Sequence, residues 1–118
     1  MKIKINVLNG AALDWAVAKS EEQDPLFDNG EVVSFKEIVG RKHRLLWGPS
    51  TNWAQGGVII ERERITLDYR ADIDSARPWI ATLPSGAEEH GATPLIAAMR
   101  VYAAGALGDS IDIPEELL

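Results

Sequence analysis

Apolar residues recur at helical spacing in two stretches of the chain and alternate with polar ones in several shorter segments. Within residues 6–19, Leu8, Ala12 and Trp15 share one helical face, with Ala11 and Ala18 beside them, and this period predicts a first helix. Asn6 and Asn9 both suit its N-cap, where a side-chain oxygen accepts from an orphan amide. Gly10 would be costly in a helix interior unless it admits a close neighbour. The strongest pattern covers residues 93–107. Thr93 suits the N-cap, Pro94 falls at the first helical position where its missing amide is not needed, and Gly108 can end the helix. Leu95, Met99, Tyr102 and Ala106 form one stripe, and Ile96, Val101 and Leu107 make the segment apolar almost all round, which predicts a central helix. Its small residues, Ala97, Ala98, Ala103, Ala104 and Gly105, would let a neighbouring element come close.

Strand patterns are shorter. Residues 32–35 and 45–47 read as a short strand or strand pair, although Phe35, Ile38 and Val39 also suit one helical turn; 65–69 and 79–83 read as two strands that pair antiparallel, and the segment from Ser110 as an edge strand that turns at Pro114. Residues 58–64 read as a short helix with Ile59 and Ile60 inward. Asp24-Pro25 and Asp28-Asn29-Gly30 mark residues 20–31 as an exposed loop. Between Trp47 and Gly57 lie glycines, a proline and small polar residues, a composition that predicts irregular backbone at the surface. Together these elements predict an α+β fold: a small antiparallel sheet packed against two main helices, with the C-terminal helix, 93–107, central. The 118 residues suffice for one core, so residues 1–118 are expected to form a single domain.

Charge and composition narrow the functional classes. The chain has no cysteine, which removes a disulfide scaffold, a thiolate zinc site and a cysteine nucleophile together and fits a reducing, cytoplasmic setting. The early lysines are not followed by a signal-peptide apolar run. Charged residues and glycines interrupt every apolar stretch well before membrane-spanning length. The net charge of −6 is uneven: residues 71–118 hold Arg77 and Arg100 against eight carboxylates, whereas Arg41-Lys42-His43-Arg44 is basic. Four residues make a small patch that reads as a solvated turn, so neither a nucleic acid nor a membrane is the expected partner.

Catalytic and metal motifs are missing from the sequence. It has no phosphate-binding glycine loop followed by lysine, no GxSxG and no HExxH, and its only histidines are His43 and His90. No cofactor, metal ligand or catalytic residue is therefore assigned, and the balance is against an enzyme. Residues 47–57 carry the best candidate surface. Gly56 and Gly57 would let backbone approach a ligand, Trp47 and Trp53 offer stacking area, and Ser50, Thr51, Asn52 and Gln55 offer neutral hydrogen-bonding groups. Arg62 could hold an anion, although a surface salt bridge is the plainer role, and Trp79 is a further candidate pocket wall. Set beside this is a purely structural reading in which the tryptophans fill the core and the glycines turn the chain.

Three groups of residues carry a resemblance across nearly the whole chain: Leu13-Asp14-Trp15-Ala16-Val17-Ala18; Asn52-Trp53-Ala54-Gln55-Gly56-Gly57 with Ile60-Glu61-Arg62-Glu63; and Thr93-Pro94-Leu95-Ile96-Ala97-Ala98-Met99-Arg100 with Gly108-Asp109 and Pro114. In these the chain resembles the phage NinX-like family, small phage and prophage proteins of unknown function. Val58 departs from the proline of the family pattern. The resemblance implies a phage or prophage gene expressed inside a bacterial cell and supplies no catalytic residues. The leading expectation is a non-enzymatic accessory protein that binds a phage or host protein through residues 47–57 or the acidic C-terminal region. The alternative is a small-molecule-binding domain or enzyme with a pocket lined by Trp47, Trp53, Gln55 and Trp79. Self-association is compatible with either.

Overall fold

A computed structural model of the chain describes residues 1–28 and 31–118, with residues 36–38 described as backbone. In chain order the elements are β1 (Lys2–Lys4), α1 (Gly10–Ser20), β2 (Leu26–Asp28), β3 (Glu31–Ile38), β4 (Arg41–Leu46), α2 (Trp53–Glu63), β5 (Thr66–Tyr69), β6 (Trp79–Thr82), β7 (Glu88–Gly91), α3 (Pro94–Leu107) and β8 (Ser110–Asp112). The fold is α+β. Among the described residues the strands form three separate antiparallel sheets, β1–β8, β2–β3–β4 and β5–β6–β7, where a single small sheet was expected. The physical reason is local: each three-stranded sheet is a meander whose neighbours in sequence pair with one another, and α2 separates the two meanders along the chain.

Helix α3 is central, as its all-round apolar pattern predicts. It touches α1, α2, β6, β7 and β8, and residues Leu95 and Ala97 to Ala103 are buried. The Thr93 hydroxyl accepts from the Ile96 amide at 3.1 Å, Pro94 opens the helix and Gly108 closes it at φ +91°. Arg100, also buried, donates from Nε to the Leu8 carbonyl at 2.8 Å and from Nη1 to the His90 carbonyl at 2.7 Å. It thereby satisfies loop carbonyls on two sides of the core. Ile5, Leu13, Val17, Ile59, Met99, Val101 and Ile113 complete the fully buried centre.

Helix α1 begins at Gly10 with Asn9 in the N-cap position, but the Asn9 side chain makes no capping bond. Asn6 lies in a preceding 3₁₀ turn, Ile5–Val7. Gly10 stands at the first helical position with φ +54°, a conformation glycine adopts readily, so no interior penalty arises.

Helix α2 starts five residues before the expected one. Asn52 Oδ1 accepts from the Ala54 amide at 2.9 Å and the Asn52 carbonyl from the Gly56 amide at 2.8 Å. Gly56 and Gly57, expected in irregular backbone, are therefore inside a helix, and the ladder runs through Val58. Gly56 is needed there: a Cβ would collide with the Pro49 carbonyl oxygen and lie 2.6 Å from Leu95 Cδ2.

Two strands occupy segments without strand patterning. β2 falls inside the expected 20–31 loop, and the Asn29-Gly30 part of its turn signal lies outside the described residues. β7, Glu-Glu-His-Gly, pairs along β6 through the register Trp79↔Gly91 and Ile80↔His90. Arg41 to Arg44 form exposed strand, not a turn. The tail strand β8 pairs with β1 in the register Ile3↔Ile111. No described helix is long and apolar enough to cross a membrane.

Candidate functional site

The segment from Trp47 into α2 is held by its own polar groups. Gln55 spans the turn: its Oε1 accepts from the Gly48 amide at 2.7 Å and its Nε2 donates to the Leu46 carbonyl at 2.8 Å. Asn52 caps α2. The half-buried Trp47 donates from its indole to the Asp14 carbonyl at 3.1 Å. The Ser50 amide donates to Asp14 Oδ1 at 2.8 Å, while the buried Ser50 hydroxyl has no hydrogen-bond partner among the described residues. Gly56 is buried and Gly57 half-buried, so neither presents open backbone. Thr51 and Trp53 are exposed.

Three clefts meet around this segment. The first, about 370 Å³, lies between the start of α1, the β2–β4 sheet and the 47–52 turn, and is lined by Gly10, Asp14, Glu31, Trp47, Gly48 and Asn52 among others. The second, about 340 Å³, is a groove between the β3–β4 hairpin and α2 with Phe35, Leu45, Trp47, Gln55, Val58 and Ile59 in its wall. A third, about 240 Å³, joins the N-termini of α2 and α3, where Ser50, Thr51 and Trp53 meet Thr93, Pro94 and Ile96.

Two residues singled out from sequence are not themselves in the walls of these clefts, although Arg62 bonds to Glu21, which lines the second. Trp79 packs on β6 against Tyr69, ring centroids 5.1 Å apart, and lines none of the three. Arg62 forms a bidentate pair with Glu21, Nη1–Oε1 2.9 Å and Nη2–Oε2 2.8 Å, and touches Glu63 Oε2 at 3.0 Å. Tyr102 donates its hydroxyl to Glu21 Oε2 at 2.6 Å. Burial pushes the Glu21 carboxyl up, but the Arg62 guanidinium and the Tyr102 hydroxyl outweigh it and hold the carboxyl below its ordinary range. The Tyr102 phenol is pushed up by burial and by the Glu21 carboxylate it serves. The salt-bridge role for Arg62 fits this geometry.

Asp14 is the residue that sequence reasoning passed over. Burial pushes its carboxyl up to about 6, against the smaller lowering effects of the Ser50 amide and of the nearby Ser50 hydroxyl, which falls short of hydrogen-bond geometry. The signal was present in Ala11-Ala12-Leu13-Asp14-Trp15-Ala16-Val17-Ala18, where one carboxylate interrupts an apolar run.

His43 is exposed, and His90 Nε2 lies 3.9 Å from Glu88 Oε1, too far for a hydrogen bond. Among the described residues no three His, Cys, Asp or Glu side chains gather to hold a metal ion.

Residues 4–105 match the family described as Bacteriophage P22, NinX. No curated protein matches the chain.

Proposed function

We propose a function from the premise that this chain belongs to the bacteriophage P22 NinX family: it is a phage accessory protein that works in the bacterial cytoplasm by binding another protein, not by catalysis. The groove between the β3–β4 hairpin and α2 is its docking surface. One observation carries this reading. Phe35 on the hairpin and Val58 on α2, both in the groove wall, remain 41% and 60% exposed, and Leu46 and Trp53, in the walls of the adjoining first and third clefts, are 58% and 55% exposed. Single exposed apolar residues are ordinary, but several beside an apolar groove mark a surface that another protein covers. Asn52 and Gln55 are engaged with backbone, so the apolar wall supplies the recognition. An amphipathic helix or extended strand of a phage or host protein fits such a groove.

The test compares the wild type with Val58→Asp as bait in cells infected by the phage. Val58 is exposed, so its stability should stay within about 0.5 kcal/mol of wild type. A protein retained by the wild type and lost by Val58→Asp, at equal melting temperature, supports the groove. Equal retention by both, with loss on Glu115→Lys and Glu116→Lys, moves the docking surface to the acidic C-terminal region.

A further inference from the structure

Asp14 is a buried carboxylate on α1 that no described lysine, arginine or histidine side chain neutralises. Its side chain lies in the first cleft and the residue is only 6% exposed. Oδ1 is satisfied by the Ser50 amide. Oδ2 has no hydrogen-bond partner among the described residues and would stand 3.8 Å from a Cβ built on Gly48, another wall of the same cleft. No described lysine, arginine or histidine pairs with it. A desolvated carboxylate with one oxygen turned to a cleft is unfavourable alone and becomes favourable when a positive hydrogen-bond donor enters.

We infer that this cleft binds an organic monocation, a guanidinium or alkylammonium group, anchored on Asp14 Oδ2. Three features fit that chemistry. Glu31 adds a second carboxylate to the wall, Trp47 adds an aromatic one against which a cation or its alkyl stem can lie, and about 370 Å³ accommodates the group with a short chain attached. A divalent metal ion fits less well, because one Asp14 oxygen is already taken and no three-ligand cluster exists among the described residues. The cation can arrive as a free small molecule or on an arginine or lysine side chain of a protein. The chemistry at Asp14 is the same, and the cleft differs from the β3–β4/α2 groove in its anchor while sharing the Trp47 wall with it.

The test is a titration of isotope-labelled protein at pH 7.5 with agmatine, methylammonium and a short arginine-containing peptide, following the Trp47 indole, Gly48 and Ser50 amide resonances against a matched sodium chloride series. Saturable shifts with at least one probe below about 10 mM are expected. Asp14→Asn keeps an acceptor for the Ser50 amide while removing the charge, and should weaken binding about tenfold or more. Gly48 has no positive φ and a Cβ there meets only ordinary contacts, so Gly48→Ala should fold normally while narrowing the cleft beside Oδ2. It carries the test if Asp14→Asn fails to fold. Tighter binding of the peptide than of agmatine identifies a protein side chain as the source, and the reverse order identifies a free cation. Absence of saturation with every probe, or wild-type affinity in a folded Asp14→Asn or Gly48→Ala protein, overturns the inference.

Discussion

Helix α1 carries a carboxylate toward each end, and the two sit in opposite circumstances. Glu21, at the C-terminal end, accepts from Arg62 through both oxygens and from the Tyr102 hydroxyl, so it joins α1, α2 and α3 in one closed set of bonds. Asp14, one turn into the helix, has among the described residues a single backbone amide bonded to one oxygen, and its side chain lines a cleft. The same two forces act at both: burial raises the carboxyl and donors lower it. At Glu21 the donors prevail and at Asp14 burial prevails. A completed polar network stabilises the fold, whereas an incomplete one diminishes stability and persists where it serves binding.

The largest expected effect tests the Asp14 half of that contrast. An acid whose folded value lies above its unfolded one holds extra protons in the folded state between the two. Its stabilising effect is therefore full below the ordinary value of 3.8 and is lost as pH rises through about 6. At about 1.4 kcal/mol per pH unit over that interval, the loss is on the order of 3 kcal/mol. Urea unfolding of Asp14→Asn should show a protein about 1–3 kcal/mol more stable than wild type at pH 7.5, with a flatter slope between pH 4 and 6. Burial also raises Glu89, so part of the slope should remain. Parallel stability curves for the two proteins would break the comparison at its open end.

Glu21→Ala should act with the opposite sign. Removing the carboxylate strips Arg62 and the buried Tyr102 hydroxyl of their shared acceptor, and a loss of about 1–3 kcal/mol at pH 7.5 is expected in the same urea assay. Because the Glu21 carboxyl is held below its ordinary value, its contribution is present above that value and fades as pH falls through the folded one. The difference between Glu21→Ala and wild type should thus shrink in acid. A constant difference would mean that the residue acts by shape and not by charge.

The contrast between these carboxylates was not legible in the sequence, while much of the fold was. Helix α3 could be read because its determinants are local: Thr93 caps, Pro94 starts, Gly108 stops, and the apolar residues surround it. The start of α2 could not, because glycine propensity argues against a helix through Gly56 and Gly57. What permits it is tertiary, the approach of the Pro49 carbonyl and Leu95 to a residue without a side chain. β7 escaped for a similar reason, since Glu88–Gly91 joins its sheet by backbone pairing and carries no apolar alternation. Trp47, Asn52 and Gln55 stood out as candidate residues, but their bonding depends on where Leu46, Gly48 and Asp14 lie in space. Asp14 was visible only as a lone carboxylate within the apolar run of α1, which by itself does not say whether it faces solvent or the interior. Its burial in the folded chain decides between the two.

The smallest effects concern the turn that forms one wall of the Asp14 cleft, and they separate scaffold from open site within a few residues. Gln55→Ala would leave the Gly48 amide and the Leu46 carbonyl without partners, so a melting curve should reveal a loss of about 1–2 kcal/mol. Asn52→Ala should lose less, about 1 kcal/mol, because it removes one capping bond at an exposed helix end. Asn52→Asp should restore that loss, since a carboxylate accepts from the Ala54 amide equally well and opposes the positive end of the α2 dipole. The ordering is the informative part. If Gln55→Ala and Asn52→Ala both melt with the wild type, the bonds of the turn contribute nothing measurable, and the wall beside Asp14 is not the rigid scaffold its geometry describes. If Asn52→Asp melts with Asn52→Ala, the Asn52 side chain acts by some means other than the cap.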